Sequence, residues 1–358
     1  MSCAGDDLGV TSRERLLTAL HGGTPDRVPV APFGLGRLDP EGPVAAELIR
    51  RCDPFISVGV HPDPFLGANI PIEWKREPNA LVQIMHIPGG DLVRRTEWND
   101  ATSAVTGHPF RTRADAERFL RAPYEPPVPD LAAWRRARDR LGDEGLVLVG
   151  LENPLCLPAA WFSPEEFCLA WAEAPDLVEA LVRAAAERLA PYVDALCRAG
   201  VEGFRIVGGE YASVQLGPAA FRRLAIPYDR ALVELMHRHG ALAYYHNHGK
   251  VKGILPDLAS IGMDALDPLE APPWGDVADL GAARKAVDGR VCLVGNLDDM
   301  EVLERGNPEE AVRLGRERLR AAGRTGFILG GTASGTYGES AARAFMALAR
   351  MAAEEASG

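Results

Sequence analysis

Hydrophobic and polar positions alternate along the chain in a way that predicts short buried strands separated by helices. Residues 146–149 are all apolar, which is typical of a strand buried on both faces. Further strand candidates, short and largely apolar, lie at residues 203–207, 242–245, 265–266, 291–294 and 326–329. Strands of this kind in alternation with helices indicate βα units and a parallel sheet.

Helix starts between these strands carry recognisable capping residues. Thr11 followed by Glu14 has the pattern of a capping box. Ser163, followed by a proline and then by Glu166, repeats that pattern, and Asn307 begins a third helix in a similar way. The predicted helices and strands continue in alternation to the carboxyl end, and polar residues follow most strands.

This order of elements predicts one α/β domain over residues 1–358, folded as a (β/α)8 TIM barrel. No G-x-G-x-x-G motif follows a predicted strand, so the fingerprint of a Rossmann cofactor fold is missing. An open, doubly wound sheet remains the alternative. Residues 34–126 are irregular and are interpreted as an insertion that contains an antiparallel hairpin around residues 81–87, with a lid or a dimer contact as its expected role.

Composition and charge narrow the class of protein. The chain has 358 residues, with 39 Lys and Arg against 50 Asp and Glu, a formal net charge of −11, and we expect no nucleic-acid partner. No run approaches the ~18 consecutive apolar residues that span a bilayer, and the acidic start lacks the features of a secretory signal. We therefore expect a soluble, cytoplasmic chain. The six cysteines form no C-x-x-C pair and are predicted to be reduced thiols.

Polar side chains after the predicted strands are the candidate site residues, because a TIM barrel carries its active site at the carboxyl ends of its strands. The candidates for catalysis are Glu152, Glu210, Glu270 and Asn296, and those for substrate binding are Arg37, Tyr211, Tyr245, Trp274, Thr332 and Ser334. Glu210 has the chemistry of an acid–base group, and Arg37 that of a carboxylate ligand. Helix capping by Glu210 and a plain surface position for Arg37 are the alternatives.

His246-x-His248 is the sharpest sign of a metal site. Residues two apart in a strand point to the same side, so both imidazoles can face the barrel axis. Glu210, at the end of the preceding strand, is the candidate third ligand. Two histidines and one glutamate would bind a divalent metal, with zinc expected, and leave a coordination position open for substrate. The alternative is a pair of histidines that merely hydrogen-bond within a polar barrel mouth.

Several segments resemble the uroporphyrinogen decarboxylase superfamily. They are residues 12–20, 25–30, 218–249, 295–296 and 329–331. The resemblance covers nearly the full chain and implies a single (β/α)8 barrel that commonly forms a homodimer.

Two branches of this superfamily imply different chemistry. Its tetrapyrrole decarboxylases use no metal and bind substrate through paired N-terminal arginines, whereas residues 31–37 contain Arg37 alone. Its zinc methyltransferases pass a methyl group between a corrinoid protein and a thiol, and use a His-x-Cys motif plus a later cysteine. The matching positions here are His246, His248 and the neighbourhood of Thr332. The chain therefore resembles the methyltransferase branch more closely, with harder ligands.

The sequence predicts a zinc-dependent enzyme that transfers a methyl or alkyl group, or cleaves a C–X bond, on a small polar substrate. The resemblance adds a corrinoid-bound methyl group as cofactor and a corrinoid protein as partner. A metal-free decarboxylase in which Glu210 and His246 handle protons is one alternative. A non-catalytic barrel that partners a corrinoid protein is the other.

Overall fold

The computed structural model describes residues 9–100, 102–332 and 336–357. The strands are, in chain order, β1 Val30–Ala31, β2 Phe55–Val58, β3 Ile72–Glu77, β4 Ala80–Met85, β5 Leu92–Trp98, β6 Ser103–Gly107, β7 Leu146–Glu152, β8 Gly203–Val207, β9 Leu242–His246, β10 Ala265–Asp267, β11 Cys292–Leu297 and β12 Phe327–Gly331.

The helices surround the strands. In chain order they are α1 Ser12–Leu20, α2 Pro43–Arg51, α3 Arg113–Arg121, α4 Ala132–Leu141, α5 Cys156–Ala159, α6 Pro164–Glu173, α7 Pro175–Arg198, α8 Glu210–Ser213, α9 Pro218–Leu224, α10 Ile226–Arg238, α11 Leu255–Ala259, α12 Leu280–Ala286, α13 Pro308–Ala322 and α14 Glu339–Ser357. A 3₁₀ turn, Lys252–Ile254, and a π-helical segment, Asp299–Glu304, complete the set.

An eight-stranded parallel sheet forms the centre of the molecule, in the order β1-β12-β11-β10-β9-β8-β7-β2. Backbone hydrogen bonds also join the chain after β1 to β2: the Gly34 amide donates to the Phe55 carbonyl at 2.7 Å, and the Phe55 amide donates to the Pro32 carbonyl at 3.1 Å. A parallel bridge between Phe33 and Phe55 lies at the same place. The ring is thus closed, which confirms the predicted TIM barrel over the open sheet.

Alternation along the strands divides the hydrophobic residues into two cores. Inward-facing side chains fill the barrel, and among them are Phe55, Leu146, Leu148, Tyr244 and Ile328. The residues between them face outward and pack against the helices, where they form the larger core. This arrangement follows from the twofold side-chain period of a strand.

The predicted helix caps are present. Thr11 and Ser163 each form a capping box, with the side chain accepting from the backbone of the third helical residue and a glutamate reaching back. Asn307 caps α13 by accepting from the amide of Glu310. The local sequence therefore places these helix starts without help from tertiary contacts.

The insertion lies between β2 and β7, so it begins later than the predicted residue 34, because β2 belongs to the barrel sheet. It contains a four-stranded antiparallel sheet, β3-β4-β5-β6, where the sequence indicates one hairpin. An aromatic cluster ties the insertion to the barrel, since Phe65 and Phe110 lie 5.2 and 5.1 Å from the ring of Trp161. A role for the insertion as a lid or dimer contact stays a prediction.

Several strands run further than predicted, and their extra residues are polar. β7 reaches Glu152, β9 reaches His246, and β10 reaches Asp267. These side chains are therefore held by strand hydrogen bonds at the barrel rim, where loop residues were expected. Separately, none of the helices in the described ranges combines the length and apolar character needed to cross a bilayer.

Candidate active site

His246 lies at the end of β9 and is held by a neighbour across the sheet. Its Nδ1 is 2.9 Å from Oδ1 of Asp267, and both side chains are buried. The register of the two parallel strands places Asp267 directly opposite His246. Sequence reasoning assigned Asp267 no role, although it directly follows the predicted strand at residues 265–266. The pairing depends on register, which a single sequence does not display.

His248 has a second, similar support. Its Nδ1 is 3.0 Å from Oε1 of Glu270, and the other carboxylate oxygen of Glu270 accepts from the Gly249 amide at 2.8 Å. Gly249 has a φ of +87°, a conformation that favours glycine and that makes this sharp exit from the strand end. The hydrogen bond to Glu270 raises the pKa of His248 above its usual value, with burial opposing it. Burial disfavours the ionised form of Glu270, but the hydrogen bonds from His248 and the Gly249 amide outweigh it, and the pKa of Glu270 is lowered.

The two imidazoles face each other inside the mouth, as the sequence predicts. Their ring centroids are 4.3 Å apart, and the planes are nearly perpendicular, at 88°. We call His246, His248, Asp267 and Glu270 the histidine wall. If each Nδ1–H donates to its carboxylate, both Nε2 lone pairs are free for a ligand, which is how metal-binding histidines are usually oriented.

This donor chemistry fits zinc at the two histidines. Glu210 begins α8, directly after β8, and its charge acts on His248. One oxygen of Glu210, Oε2, is buried and accepts no hydrogen bond from the described residues. Within residues 9–100, 102–332 and 336–357, however, no three His, Cys, Asp or Glu side chains are grouped to hold a metal ion. Glu210 as the third ligand therefore stays a prediction.

Strand β8, the direct neighbour of the histidine strand β9, carries an arginine that sequence reasoning missed. Arg205 lies on β8, opposite Tyr244 of β9 in the register, and alternates with outward-facing Phe204 and Ile206. Its guanidinium carbon lies 4.4 Å from the centroid of the Phe33 ring. A charged residue in an otherwise apolar strand is the sequence signal that could have found it.

Glu152 and Arg94 complete this side, and we call Arg205, Glu152 and Arg94 the arginine wall. Glu152 ends β7 in a concave part of the surface, reached by solvent but flanked by protein. That desolvation, with the nearby charge of Asp63, raises the pKa of Glu152, and Arg94 opposes the rise. Arg94 belongs to β5 of the insertion. The insertion therefore contributes a cation near the barrel mouth.

Four of the predicted residues line one small cavity beside the histidine wall. A cavity of 140 Å³ is bordered by Glu270, Trp274, Asn296 and Thr332, together with Arg318. Trp274 is 65% exposed and lies at its rim. These predicted residues are thus brought together, although they belong to three different βα connections.

Asn296 and Thr332 are largely engaged by the protein itself. The Asn296 amide donates to the carbonyls of Leu269 and Val277, at 2.8 and 3.1 Å, and accepts from Arg318 at 2.8 Å. The Thr332 amide donates to a carboxylate oxygen of Asp299 at 3.0 Å. Asn296 therefore stabilises the end of β11, because both of its side-chain amide hydrogens are already donated to the protein.

Tyr245 and Arg37 lie away from the mouth, which corrects their predicted place at the substrate. Tyr245 is fully buried, faces outward from β9, and donates its hydroxyl to Asp229 at 2.6 Å. Strand alternation requires this, since its neighbour His246 faces inward. Arg37 is exposed and pairs with Glu304 at 3.3 Å.

Tyr211 follows Glu210 in α8 and packs edge-on against Phe167, with ring centroids 6.3 Å apart. Burial raises the pKa of Tyr211, so its hydroxyl remains a proton donor at neutral pH. Ser334, the remaining predicted substrate-binding residue, lies outside the described residues.

Comparisons with known proteins agree with this arrangement. A sequence model of the family described as "Uroporphyrinogen decarboxylase (URO-D)" matches residues 95–353. The chain is 25% identical over 303 residues to a methylcobamide:CoM methyltransferase, MtaA, of Methanosarcina barkeri, covering 80% of this chain and 82% of the relative. It is 29% identical over 298 residues to a uroporphyrinogen decarboxylase of Burkholderia thailandensis, covering 74% of each.

Among solved structures, a methyltransferase from Methanosarcina mazei superposes with a TM-score of 0.64 at 17% identity. The match covers 96% of this chain and 99% of that one, and it supports the same barrel fold. Family match, relatives and fold all point the same way: this chain belongs to the uroporphyrinogen decarboxylase (URO-D) family.

Proposed function

We propose that this URO-D family enzyme transfers a methyl or alkyl group, or cleaves a C–X bond, on a small polar substrate, with zinc held by His246 and His248. The observation that carries the proposal is the histidine wall. Two imidazoles lie 4.3 Å apart, and the Nδ1 of each is within hydrogen-bond distance of a carboxylate. Metal-ligating histidines usually donate their other ring N–H to a carboxylate in this way, and the arrangement here would leave both Nε2 atoms available as ligands.

Each residue then has a defined task. When bound, zinc would act as a Lewis acid that makes the acceptor more reactive. Asp267 and Glu270 fix the ring orientations of the two histidines. Glu210 offers a buried oxygen with no hydrogen-bond partner among the described residues, suited to a third ligand or a proton acceptor. Glu152, with its raised pKa, can exchange a proton with a bound substrate.

The relatives extend the proposal to cofactor and partners. MtaA is described as acting on a methylcobamide and CoM. A corrinoid-bound methyl group as donor or acceptor, and a corrinoid protein as partner, are therefore proposed for this chain as well. A homodimer and a cytoplasmic location remain predictions from the sequence.

Metal content tests the zinc proposal directly. Elemental analysis of the purified protein is expected to give about one zinc per chain, as for a structural or catalytic zinc site, and His248→Ala should lose it. His239→Ala is the matched control, because His239 makes the same kind of hydrogen bond, to Asp194 at 2.8 Å, on the surface. Equal zinc in both variants would refute the proposed ligands.

The reaction needs a separate assay. Free methylcobalamin can be incubated with the zinc-loaded protein and with CoM or other thiols, and loss of its cobalt–carbon bond followed by absorbance. Transfer that requires both His246 and zinc supports the proposal. Zinc binding without transfer to any acceptor would contradict methyl transfer and leave C–X cleavage as the zinc-dependent reaction.

Metal-free decarboxylation is the second candidate, and the arginine wall favours it. In that reaction Arg205 would bind a carboxylate, the C–C bond would break with its electron pair left on carbon, and protonated Glu152 would supply the proton. Carbon dioxide release by protein treated with a chelator, from a carboxylated substrate, distinguishes this reaction from the first.

A further inference from the structure

Arg205 is unusual among the arginines that surround the barrel. At the opposite end of the barrel, Arg15 and Arg27 both pair with the buried Asp53, at 2.7 and 2.6 Å. On α7, Arg188 donates to the carbonyl of Phe65 at 2.6 Å. Each of these cations has its charge or its hydrogens satisfied by the protein.

Arg205 lacks such a partner in the part of the chain that the structure describes. No carboxylate there lies within 4.0 Å of its guanidinium, and its Nε is buried without a hydrogen bond. Its contact is the face of the Phe33 ring, at 4.4 Å. An unpaired buried donor on a cation is costly, so it is kept where a ligand supplies the acceptor.

The guanidinium is held in place by an aromatic floor. Phe33 lies 6.1 Å from Phe55 and 5.8 Å from Tyr244, measured between ring centroids, and Phe55 and Tyr244 are 5.1 Å apart. Stacking on Phe33 fixes the plane of the guanidinium and leaves its edge free to donate two parallel hydrogen bonds. Phe33 itself remains half-buried, so the floor is open on that side.

Arg205 lies close to the histidines, on the neighbouring strand. Val207 pairs with His246, and Arg205 pairs with Tyr244, so Arg205 lies one inward-facing layer below the imidazoles. Successive inward-facing positions on a strand are about 7 Å apart. A small substrate bound at Arg205 would therefore reach the histidine wall with its other end.

We propose that Arg205 is the substrate's carboxylate-binding residue, and that the substrate is a small monocarboxylate with an apolar body lying over Phe33. This inference rests on the proposed function and names its substrate class. A monoanion fits better than a phosphate dianion, because the Arg205 guanidinium balances one charge and the nearby carboxylates of Asp267 and Glu210 repel a second. The aromatic floor contributes apolar contact area rather than further donors.

Binding of small carboxylates tests the proposal without knowledge of the reaction. The probes are propionate, butyrate and benzoate, each compared with its neutral amide, and inorganic phosphate. Dissociation constants are measured by calorimetry on the full-length protein. We expect at least one carboxylate to bind saturably, and its amide and phosphate to bind at least about 10-fold more weakly, as loss of a charge-assisted pair implies.

Substitutions of Arg205 test whether this residue binds the carboxylate. Arg205→Met should weaken the carboxylate by about 10- to 100-fold, and Arg205→Lys should restore part of the affinity, since lysine keeps the charge but not the planar fork. Arg290→Met is the control, because Arg290 is an exposed arginine near Asp288 and should bind like wild type. If Arg205→Met does not fold, the intermediate affinity of Arg205→Lys carries the test.

Three outcomes would overturn the inference: no carboxylate in the panel binds, Arg205→Met binds as well as wild type, or phosphate binds more tightly than the carboxylates. Repeating the titration with His248→Ala separates this inference from the proposed function. In His248→Ala, carboxylate binding should survive the loss of zinc. Carboxylate binding by a wild-type protein that holds no zinc would remove the metal chemistry but keep Arg205. Wild-type protein that holds zinc but binds no carboxylate would keep the proposed metal chemistry and overturn the role of Arg205.

Discussion

The histidine wall and the arginine wall face the same barrel mouth, but they differ in how their polar atoms are satisfied. In the first, each imidazole has a carboxylate within 3.0 Å; Asp267 is buried, and Glu270 is partly buried. In the second, Arg205 has no acidic partner within 4.0 Å among the described residues, and Glu152 has a raised pKa. One side is organised before any ligand arrives, whereas the other is completed by the ligand.

This contrast indicates that the satisfied pairs of the histidine wall stabilise the fold, whereas the unpaired charge of the arginine wall serves ligand binding. Removing a member of a satisfied pair leaves a buried group without its partner, which costs stability. Removing an unpaired charge leaves nothing behind, and sites that await a ligand are often built at the expense of stability. The predictions below test this division, beginning with the largest effect.

The largest effect is expected at His246. His246→Ala leaves the carboxylate of Asp267 buried without its hydrogen bond, and we expect the free energy of unfolding to fall by about 3 kcal/mol. Arg205→Met should stay within about 1 kcal/mol of wild type. Urea denaturation of metal-free protein measures both. Equal losses in the two variants would remove the distinction between the walls.

A buried acid behind the mouth gives the next effect. Asp229 is fully buried and accepts from Asn153 at 2.9 Å and Tyr245 at 2.6 Å, so it links the end of β7 to β9. Burial raises the pKa of Asp229 from 3.8 to about 7.

The raised pKa of Asp229 determines how stability changes with pH. Between pH 4 and 7 the folded protein holds a proton that the unfolded chain has released, so this group's contribution to stability falls as pH rises. Asp229→Asn keeps an acceptor for both partners and should be more stable than wild type at pH 8 by on the order of 2 kcal/mol. The difference should vanish near pH 4. A difference that does not change with pH would show that Asp229 stays ionised when folded.

The smallest effect is expected at Glu152. The pKa of Glu152 is also raised, so wild type should lose stability relative to Glu152→Gln as pH rises above 4.5. Solvent reaches this side chain and screens its charge, which limits the difference to less than about 1 kcal/mol. Thermal denaturation at pH 4 and pH 8 measures it, with exposed Glu144→Gln as control. A larger gain for Glu144→Gln would contradict this account.

The sequence predicted the histidine wall better than the arginine wall, for physical reasons. His246 and His248 were found because residues two apart in a strand share a face, a rule that needs only local sequence. Their partners Asp267 and Glu270 belong to the next βα unit. Finding those pairs requires the register between strands, which is set by packing of the whole barrel.

The sequence did not predict the arginine wall, for two further reasons. Arg205 interrupts an apolar strand, and only the closed ring shows that its side chain points inward toward Phe33. Arg94 is more than 50 residues from Glu152 in the chain, in a sheet that the sequence indicated only as one hairpin. Tyr245 was predicted to face the mouth, but it is one position from inward-facing His246. Neighbouring residues in a strand point to opposite faces, so its side chain lies in the outer core.

The short first strand has a consequence for how this protein is made. β1 consists of two residues, Val30 and Ala31, which pair with Leu329 and Gly330 of β12, almost 300 positions later. During synthesis the ring cannot be completed until the chain through β12 has left the ribosome. Truncated nascent chains that lack β12 should therefore remain open and sensitive to protease, even when every earlier βα unit is present.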